Sequence, residues 1–213
     1  DYREEMRSLV IEIASYARSN NSDFIVIPQN GQELITRNGE PDGSLASSYV
    51  SAIDGQGRED LYYGYDTDDT ATPADETEWM EGFLDRAAAA DVVPLVTDYC
   101  STTSKVDDSY ARNNAKEYIG FAAARRELDS IPSYPAPIPG GNAADISALQ
   151  SKPDGRRRLV LAYFSIGEAE DYRYYWQPSW KSNPPSFIEE ENPDWEGNYK
   201  VRYWDSQWKA VLF

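Results

Sequence analysis

The apolar residues of this chain follow helical spacing in some segments and strand-like runs in others. Within residues 4–19, apolar positions recur every three or four residues, which predicts an amphipathic helix, and a second such pattern begins near Asp75. A third helix is predicted from Asp107 or Asp108 through Lys116. Short apolar runs predict strands at Phe24–Pro28, Tyr49–Ile53, Val92–Thr97, Tyr118–Ala122 and Arg158–Phe164. Strands that alternate with helices favour an α/β fold with a parallel sheet and helical crossovers.

Acidic residues are concentrated where the last of these strands ends. The run Leu159–Phe164 breaks at Ser165 and Gly167, and Glu168, Glu170 and Asp171 follow within a few residues. Loops at the carboxyl ends of strands carry the chemistry of α/β enzymes, so Glu168 is a candidate catalytic residue. For Glu170 and Asp171, an ion pair with Arg173 is an equally good structural explanation.

Two other strand ends carry candidate catalytic acids. Asp98 follows the strand Val92–Thr97 and precedes Tyr99, and Glu59 follows the glycine-rich segment 54–57. That segment lacks the third glycine and the immediate helix of a dinucleotide fingerprint. Gln29 and Asn30 are candidates for hydrogen bonds to sugar hydroxyls, although Asn30 and its following glycine are equally typical of an ordinary turn.

Composition excludes several kinds of catalysis. The chain has 213 residues, no histidine and a single cysteine, Cys100. Ser-His-Asp triads, Cys–His dyads and His-ligated zinc hydrolases all require an imidazole and are therefore excluded. Acid–base chemistry is left to Asp, Glu, Tyr or Lys, and we expect neither a metal nor an organic cofactor.

The net charge of −17 restricts the partners. Nucleic acids and anionic membrane surfaces would be repelled, whereas a neutral or cationic polymer, such as an amino-sugar polysaccharide, would not. No apolar run is long enough to span a membrane. No basic-then-apolar leader opens the chain, so either it is not exported by that route or the leader is not part of this sequence.

Four segments together resemble a known enzyme family. They are Ser165–Trp176, Asn192–Asp205, Pro28–Gly31 and Gly57–Asp60, and they are similar to motifs of glycoside hydrolase family 114, which contains endo-α-1,4-polygalactosaminidases. The resemblance implies a (β/α) TIM-type barrel that cleaves α-1,4-linked galactosamine polymers outside the cell. It implies Glu168 as general acid and Asp98 or Glu59 as second carboxylate, with substrate contacts from Gln29, Asn30, Tyr99, Glu170, Tyr172 and Arg173.

The order of these segments departs from the family pattern. The segment with Glu168 belongs to the amino-terminal half of the family, yet here it follows the segment with Gln29, as in a circular permutation whose junction is the proline-rich stretch 131–141. The 213 residues also fall short of the about 250 residues of a complete barrel. We therefore expect a single domain, 1–213, that forms an incomplete or circularly permuted barrel, with pairing to a second copy as one way to cover its edges. The alternatives are a non-catalytic carbohydrate-binding remnant and a purely structural or interaction protein.

Overall fold

The computed structural model describes residues 2–126, 128, 165–173 and 175–213. The backbone contacts divide the chain into two compact units, Asp1–Leu9 with Ile146–Phe213, and Val10–Asp145. We call the second the parallel unit and the first the antiparallel unit, after the sheets they contain, and describe each by itself. The junction at 131–141 and the elements expected at Ala143–Gln150 and Arg158–Phe164 lie outside the described residues, and the single-domain expectation stays a prediction.

A three-stranded parallel sheet forms the centre of the parallel unit. Its strands follow one another in the order β1 (Gly55–Glu59), β2 (Val93–Tyr99) and β3 (Ile119–Ala123). In the register, Gly57 pairs with Leu95 and Thr97 pairs with Phe121. The described helices of the chain up to this point are α1 (Tyr2–Asn20), α2 (Ser47–Val50), α3 (Ala74–Ala88) and α4 (Thr103–Ala115), with a 3-10 helix at Gln32–Ile35.

The helices α3 and α4 provide the crossovers between the parallel strands, as the alternating pattern predicts. The core includes Met80 and Leu84 from α3, Val96 from β2 and Tyr62 from the loop after β1. Fully burying one such side chain contributes about 1.5–3 kcal/mol. This packing fixes one face of the sheet and therefore the positions at which its strands end.

Most elements predicted for the parallel unit are present. The helix predicted for residues 4–19 is α1, and the one that begins near Asp75 is α3. The strands predicted at Val92–Thr97 and Tyr118–Ala122 correspond to β2 and β3 with shifts of one or two residues. Helix α4 begins at Thr103, four residues before the expected cap at Asp107.

The strand predicted at Tyr49–Ile53 is wrong. Tyr49 lies in the short helix α2, and the strand is the next segment, β1. Glycines make this strand possible, because a Cβ at Gly55 would lie 2.8 Å from a Leu95 methyl and 2.9 Å from the Val93 carbonyl oxygen. Phe24–Pro28 is extended without being a strand, and its Val26 carbonyl accepts the N–H of Asp54 at 2.8 Å.

The antiparallel unit contains a second three-stranded sheet. Its spatial order is β4 (Glu168–Glu170), β6 (Asn198–Val201) and β5 (Ile188–Glu191), and all the pairs are antiparallel. Helix α5 (Ser206–Leu212) and a 3-10 helix at Pro178–Lys181 complete the described elements. The core beneath this sheet is built from Ala169, Phe187, Val201 and Trp208.

The predicted TIM-type barrel is wrong for the residues that the structure describes. They form one three-stranded parallel sheet and a separate three-stranded antiparallel sheet, and neither closes on itself. The segment with Glu168 was expected at the end of a parallel strand, but Glu168 lies within a strand and pairs antiparallel with Lys200. A barrel needs eight parallel strands of matched tilt, which this pairing does not allow. None of the described helices has the length and apolar content needed to cross a bilayer.

The loop after β1 is tied to the start of α4 by Asp69. Its carboxylate accepts the hydroxyl of Thr102 at 2.6 Å and the backbone N–H groups of Thr102 and Ser101, each at 2.9 Å. These hydrogen bonds, that of the Thr102 side chain first, lower the pKa of Asp69 below its ordinary value. Because the folded-state pKa lies below the unfolded value of about 3.9, the ionised carboxylate stabilises the fold at higher pH. This stabilisation is lost as the pH falls toward the folded-state pKa.

We therefore expect acid unfolding to depend on Asp69. Between pH 5 and pH 2.5, the wild-type chain should lose stability more steeply than Asp69→Asn, because the amide has no proton to gain. Urea unfolding at several pH values measures the two slopes. Asp66→Asn, an exposed carboxylate of the same loop, is the control and should follow the wild type. Equal slopes for all three proteins would contradict the linkage.

Candidate active edge of the parallel sheet

Polar side chains gather where the parallel strands end. Glu59 is the last residue of β1, Tyr99 is the last residue of β2, and Asn30 lies beside β1 at the end of the extended segment 24–29. Ligands of open α/β sheets bind outside the carboxyl ends of the strands. We call Asn30, Glu59 and Tyr99 the carboxyl-edge site.

The Glu59 carboxylate is the centre of this site. Its Oε2 accepts the side-chain amide N–H of Asn30 at 2.7 Å, and its Oε1 accepts a short hydrogen bond from the Tyr99 hydroxyl. Glu59 is half-buried, so one side of its carboxylate contacts the protein and the other side is accessible. Two neutral donors, one on each oxygen, fix the orientation of the carboxylate.

The backbone of Asn30 fixes the position of its side chain. Asn30 has a φ of 58°, a left-handed conformation that Asn tolerates better than most residues. Its backbone N–H donates to the Gly57 carbonyl at 2.8 Å, and its side-chain oxygen accepts the Glu59 N–H at 3.1 Å. The asparagine therefore contacts both the backbone and the side chain of Glu59, more than an ordinary turn requires.

Tyr99 is held in its neutral form. Burial raises the pKa of the Tyr99 hydroxyl, and the hydrogen bond to Glu59 raises it further. The hydroxyl therefore stays protonated and remains a donor throughout the physiological pH range. Arg126 lies over the Tyr99 ring, with 4.3 Å between the guanidinium carbon and the ring centroid, which restricts the ring.

Arg126 also neutralises the acid next to Glu59. Its guanidinium donates to the two Asp60 oxygens at 2.9 and 3.4 Å and to Asp68 at 2.6 Å. Burial raises the pKa of Asp60, and the ion pair with Arg126 opposes that shift. Sequence reasoning missed Arg126, and the available signal was its position shortly after the end of β3.

Asp98 lies one residue before Tyr99 and points to the other face of β2. It is 0% exposed, and its Oδ1 accepts the backbone N–H groups of Tyr62 at 2.8 Å and Tyr63 at 3.3 Å. Its Oδ2 accepts the hydroxyl of Ser109 in α4 at 2.6 Å. Burial raises the pKa of Asp98 above its ordinary value. Because a catalytic residue must touch the substrate, this geometry fits a positioning residue, and we leave Asp98 out of the catalytic pair.

A cavity of about 550 Å³ lies beside β1, on the side of Arg58. The Arg58 guanidinium donates weakly to Asn30 at 3.4 Å and to Gln32 at 3.5 Å, and burial lowers its pKa. The cavity is also lined by Glu33, Tyr65, Asp75, Glu76 and Trp79. Of the residues that line it, Arg58 contacts Asn30 of the carboxyl-edge site. Gln29, the other predicted sugar-binding residue of this segment, is exposed and forms a single parallel bridge with Gly57.

Glu168, by contrast, belongs to the antiparallel unit. Its Oε1 accepts the side-chain amide of Asn192 at 2.7 Å, and its Oε2 accepts that of Asn198 at 3.1 Å. The residue is half-buried. The structure thus places this predicted catalytic acid in a polar cluster of its own, which includes two asparagines that sequence reasoning did not select.

Glu170, Tyr172 and Arg173 interact with one another. Glu170 is buried, and its carboxylate accepts the Tyr172 hydroxyl at 2.6 Å and pairs with the Arg173 guanidinium. This matches the structural alternative considered for Glu170. Each Glu170 oxygen therefore already has a partner within the protein. Of these three predicted binding residues, only Tyr172 has an exposed side chain.

Within the described residues, no group of three or more Asp, Glu, Cys or His side chains is arranged to hold a metal ion. Cys100 is buried, and burial raises the pKa of its thiol to about 12, so it is a poor thiolate nucleophile.

Comparison with known proteins gives short, strong matches to proteins without a described function. No protein-family model matches the chain. An uncharacterized protein of Methanocaldococcus jannaschii is 54% identical over 56 residues, which is 26% of this chain and 16% of that protein. Uncharacterized proteins of Thermotoga maritima and Deinococcus radiodurans are 53% identical over 55 residues and 44% over 64 residues. These two matches cover 26% and 30% of this chain, and only 17% and 21% of the relatives.

Proposed function

We propose that this chain is a glycoside hydrolase that cleaves α-1,4-linked galactosamine-type polysaccharide, with Glu59 as a catalytic carboxylate. The observation that carries the proposal is the carboxyl-edge site, where Glu59 is half-exposed at a strand end and held by donors from two other segments. The family motifs in the sequence supply the substrate class. The proposed reaction takes place outside the cell and needs no cofactor.

The hydrogen bonds favour one role for Glu59. Glycosidases use one protonated and one ionised carboxyl group. Glu59 acts only as an acceptor in its side-chain hydrogen bonds, so we assign it the part of nucleophile or general base. As a nucleophile it would bond to the anomeric carbon while the glycosidic C–O bond breaks and the leaving oxygen takes a proton from the second carboxyl group. As a general base it would take a proton from the attacking water, and the leaving oxygen would again take its proton from the second carboxyl group.

The charge of the chain supports a cationic substrate. A galactosamine polymer carries one ammonium group per residue when its amines are protonated, and the chain has a net charge of −17. Long-range attraction of this kind raises association rates and falls steeply with ionic strength. The same charge disfavours nucleic acids as partners.

A polysaccharide assay tests the proposal. The 213-residue chain is incubated with de-N-acetylated α-1,4-galactosamine polymer, and new reducing ends are measured, with β-1,4-linked glucosamine polymer as the linkage control. We expect release of oligosaccharides from the first polymer only, with a rate that falls as salt is added. Saturable binding without new reducing ends would favour the non-catalytic carbohydrate-binding alternative, and neither binding nor turnover would contradict both.

A further inference from the structure

We infer that Glu168, held by Asn192 and Asn198, forms a recognition site for an ammonium group on the antiparallel unit. The choice of an amino sugar as the ligand rests on the proposed function, whereas the preference for a cation follows from the geometry of this unit. The inference gives Glu168 a binding role in place of the general-acid role that the sequence suggested.

The first argument is the contrast with neighbouring carboxylates. Around the same sheet, four acids are neutralised by ion pairs, which are Glu170 with Arg173, Asp171 with Lys181 at 2.6 Å, Glu189 with Arg202 at 3.1 Å and Glu190 with Lys200 at 3.1 Å. A fifth, Glu191, accepts the backbone N–H of Gly197 at 2.7 Å. Glu168 instead accepts from two neutral amides. Amide donors hold a carboxylate in place but leave its full negative charge.

The second argument is that the basic residue opposite Glu168 in the sheet forms its ion pair with a different carboxylate. Lys200 pairs directly with Glu168 in the strand register, yet its ammonium group contacts Glu190. In the part of the chain that the structure describes, no Lys or Arg lies within ion-pair distance of Glu168. A half-buried, unpaired carboxylate is costly unless something compensates it, and a ligand ammonium would supply that charge.

The third argument is that the two asparagines are fixed by the turn they flank. They lie at the two ends of the connection from β5 to β6, where the Asn198 N–H donates to the Trp195 carbonyl at 3.1 Å. The side-chain oxygen of Asn192 accepts the Asp194 N–H at 3.0 Å. Gly197 closes the turn with a φ of 84°, which other residues rarely adopt. The amide donors are therefore preorganised before any ligand arrives.

The same turn exposes an aromatic surface. Trp195 is 53% exposed, although large aromatic side chains are usually buried. An aromatic face packs well against the C–H face of a sugar ring. Trp195 lies in the sequence between Asn192 and Asn198, the two residues that donate to Glu168, so the same turn offers an aromatic face for a sugar ring.

Binding of two ligands to the full chain tests the inference. Isothermal titration calorimetry measures the affinity for an α-1,4-galactosamine tetramer and for its N-acetylated form, with wild type, Glu168→Gln, Glu168→Asp and the control Glu78→Gln, which removes an exposed carboxylate of α3. We expect Glu168→Gln to weaken binding of the amine tetramer about tenfold, typical of one charge-assisted hydrogen bond. Binding of the acetylated tetramer should not change, Glu168→Asp should restore part of the loss, and Glu78→Gln should behave as the wild type.

Other outcomes overturn the inference. An equal loss for both tetramers, an unchanged affinity in Glu168→Gln, or the absence of any preference for the amine in the wild type would each refute ammonium recognition. If Glu168→Gln lowers kcat for the polysaccharide but not for an aryl glycoside with a good leaving group, Glu168 is the general acid instead. Amine-dependent binding that Glu168→Gln removes, without hydrolysis by the wild type, would refute the proposed hydrolase and leave this inference standing.

Discussion

Glu59→Gln should lower kcat on α-1,4-galactosamine polymer by about 10³-fold, in the range found for catalytic carboxyl groups. The substitution keeps the size of the side chain but removes the charge and the nucleophilic oxygen. The Tyr99 hydroxyl and the Asn30 amide both donate to Glu59. In Glu59→Gln, the new amide N–H group would face one of these donors and could not accept its hydrogen bond. KM should change much less than kcat, because the lost interaction belongs to the transition state.

Two further variants make this result specific. Glu78→Gln changes an exposed carboxylate on α3 and should retain wild-type activity, which controls for net charge. Glu59→Ala should recover turnover with added azide and form a glycosyl azide. The anomeric configuration of the wild-type product separates the two roles, because a carboxylate nucleophile gives retention and a general base gives inversion. Full activity of Glu59→Gln would show that the carboxyl-edge site is not catalytic, whatever else the chain binds.

The sequence predicted where the strands of this edge end better than how its side chains meet. The runs that became β2 and β3 are rich in apolar residues, so their ends were located to within two residues. β1 was missed because its Gly-Gln-Gly pattern has neither alternation nor β-branched residues. The contact between Asn30 and Glu59 joins residues 29 positions apart, and only the three-dimensional structure brings them together.

The antiparallel unit was harder to predict for a different reason. β4, β5 and β6 have three or four residues each, which is too short for alternation to give a clear signal. The pairing of Glu168 with Lys200 depends on a turn far along the chain. The pattern therefore selected Glu168 as a candidate but assigned it to the end of a parallel strand, and it gave no indication of the two asparagines.

Asp98 and Glu59 were both selected because each acid lies where a strand ends. Their environments in the structure show that this criterion does not distinguish a buried acid from an accessible one. Both acids lie at the ends of neighbouring parallel strands, so sequence position cannot distinguish them. Successive residues of a strand point to opposite faces. Asp98 points toward α4 and the buried loop, whereas Glu59 lies at the open edge, and only packing reveals the difference.

Asp98→Ala should therefore destabilise the parallel unit rather than act on catalysis directly. It leaves the backbone N–H groups of Tyr62 and Tyr63 and the Ser109 hydroxyl without their acceptor. At about 1–3 kcal/mol for each buried donor left unsatisfied, we expect a loss of about 4 kcal/mol in the free energy of unfolding. Urea unfolding measures this loss of stability as a lower midpoint concentration of urea. Faster hydrogen exchange in peptides from β1–β3 would show that the parallel sheet is the region destabilised.

Asp98→Asn separates the lost hydrogen bonds from the lost charge. The amide oxygen can still accept the backbone N–H groups, its nitrogen can donate to the rotated Ser109 hydroxyl, and the cost of burying a charge disappears. Burial raises the pKa of Asp98, so its ionised form costs stability as the pH rises from the unfolded pKa toward the folded one. Asp98→Asn should therefore lose far less stability than Asp98→Ala, and its stability should fall less than that of the wild type between pH 4 and pH 7. If instead both variants unfold as the wild type does while hydrolysis is abolished, Asp98 touches the substrate and belongs in the catalytic pair.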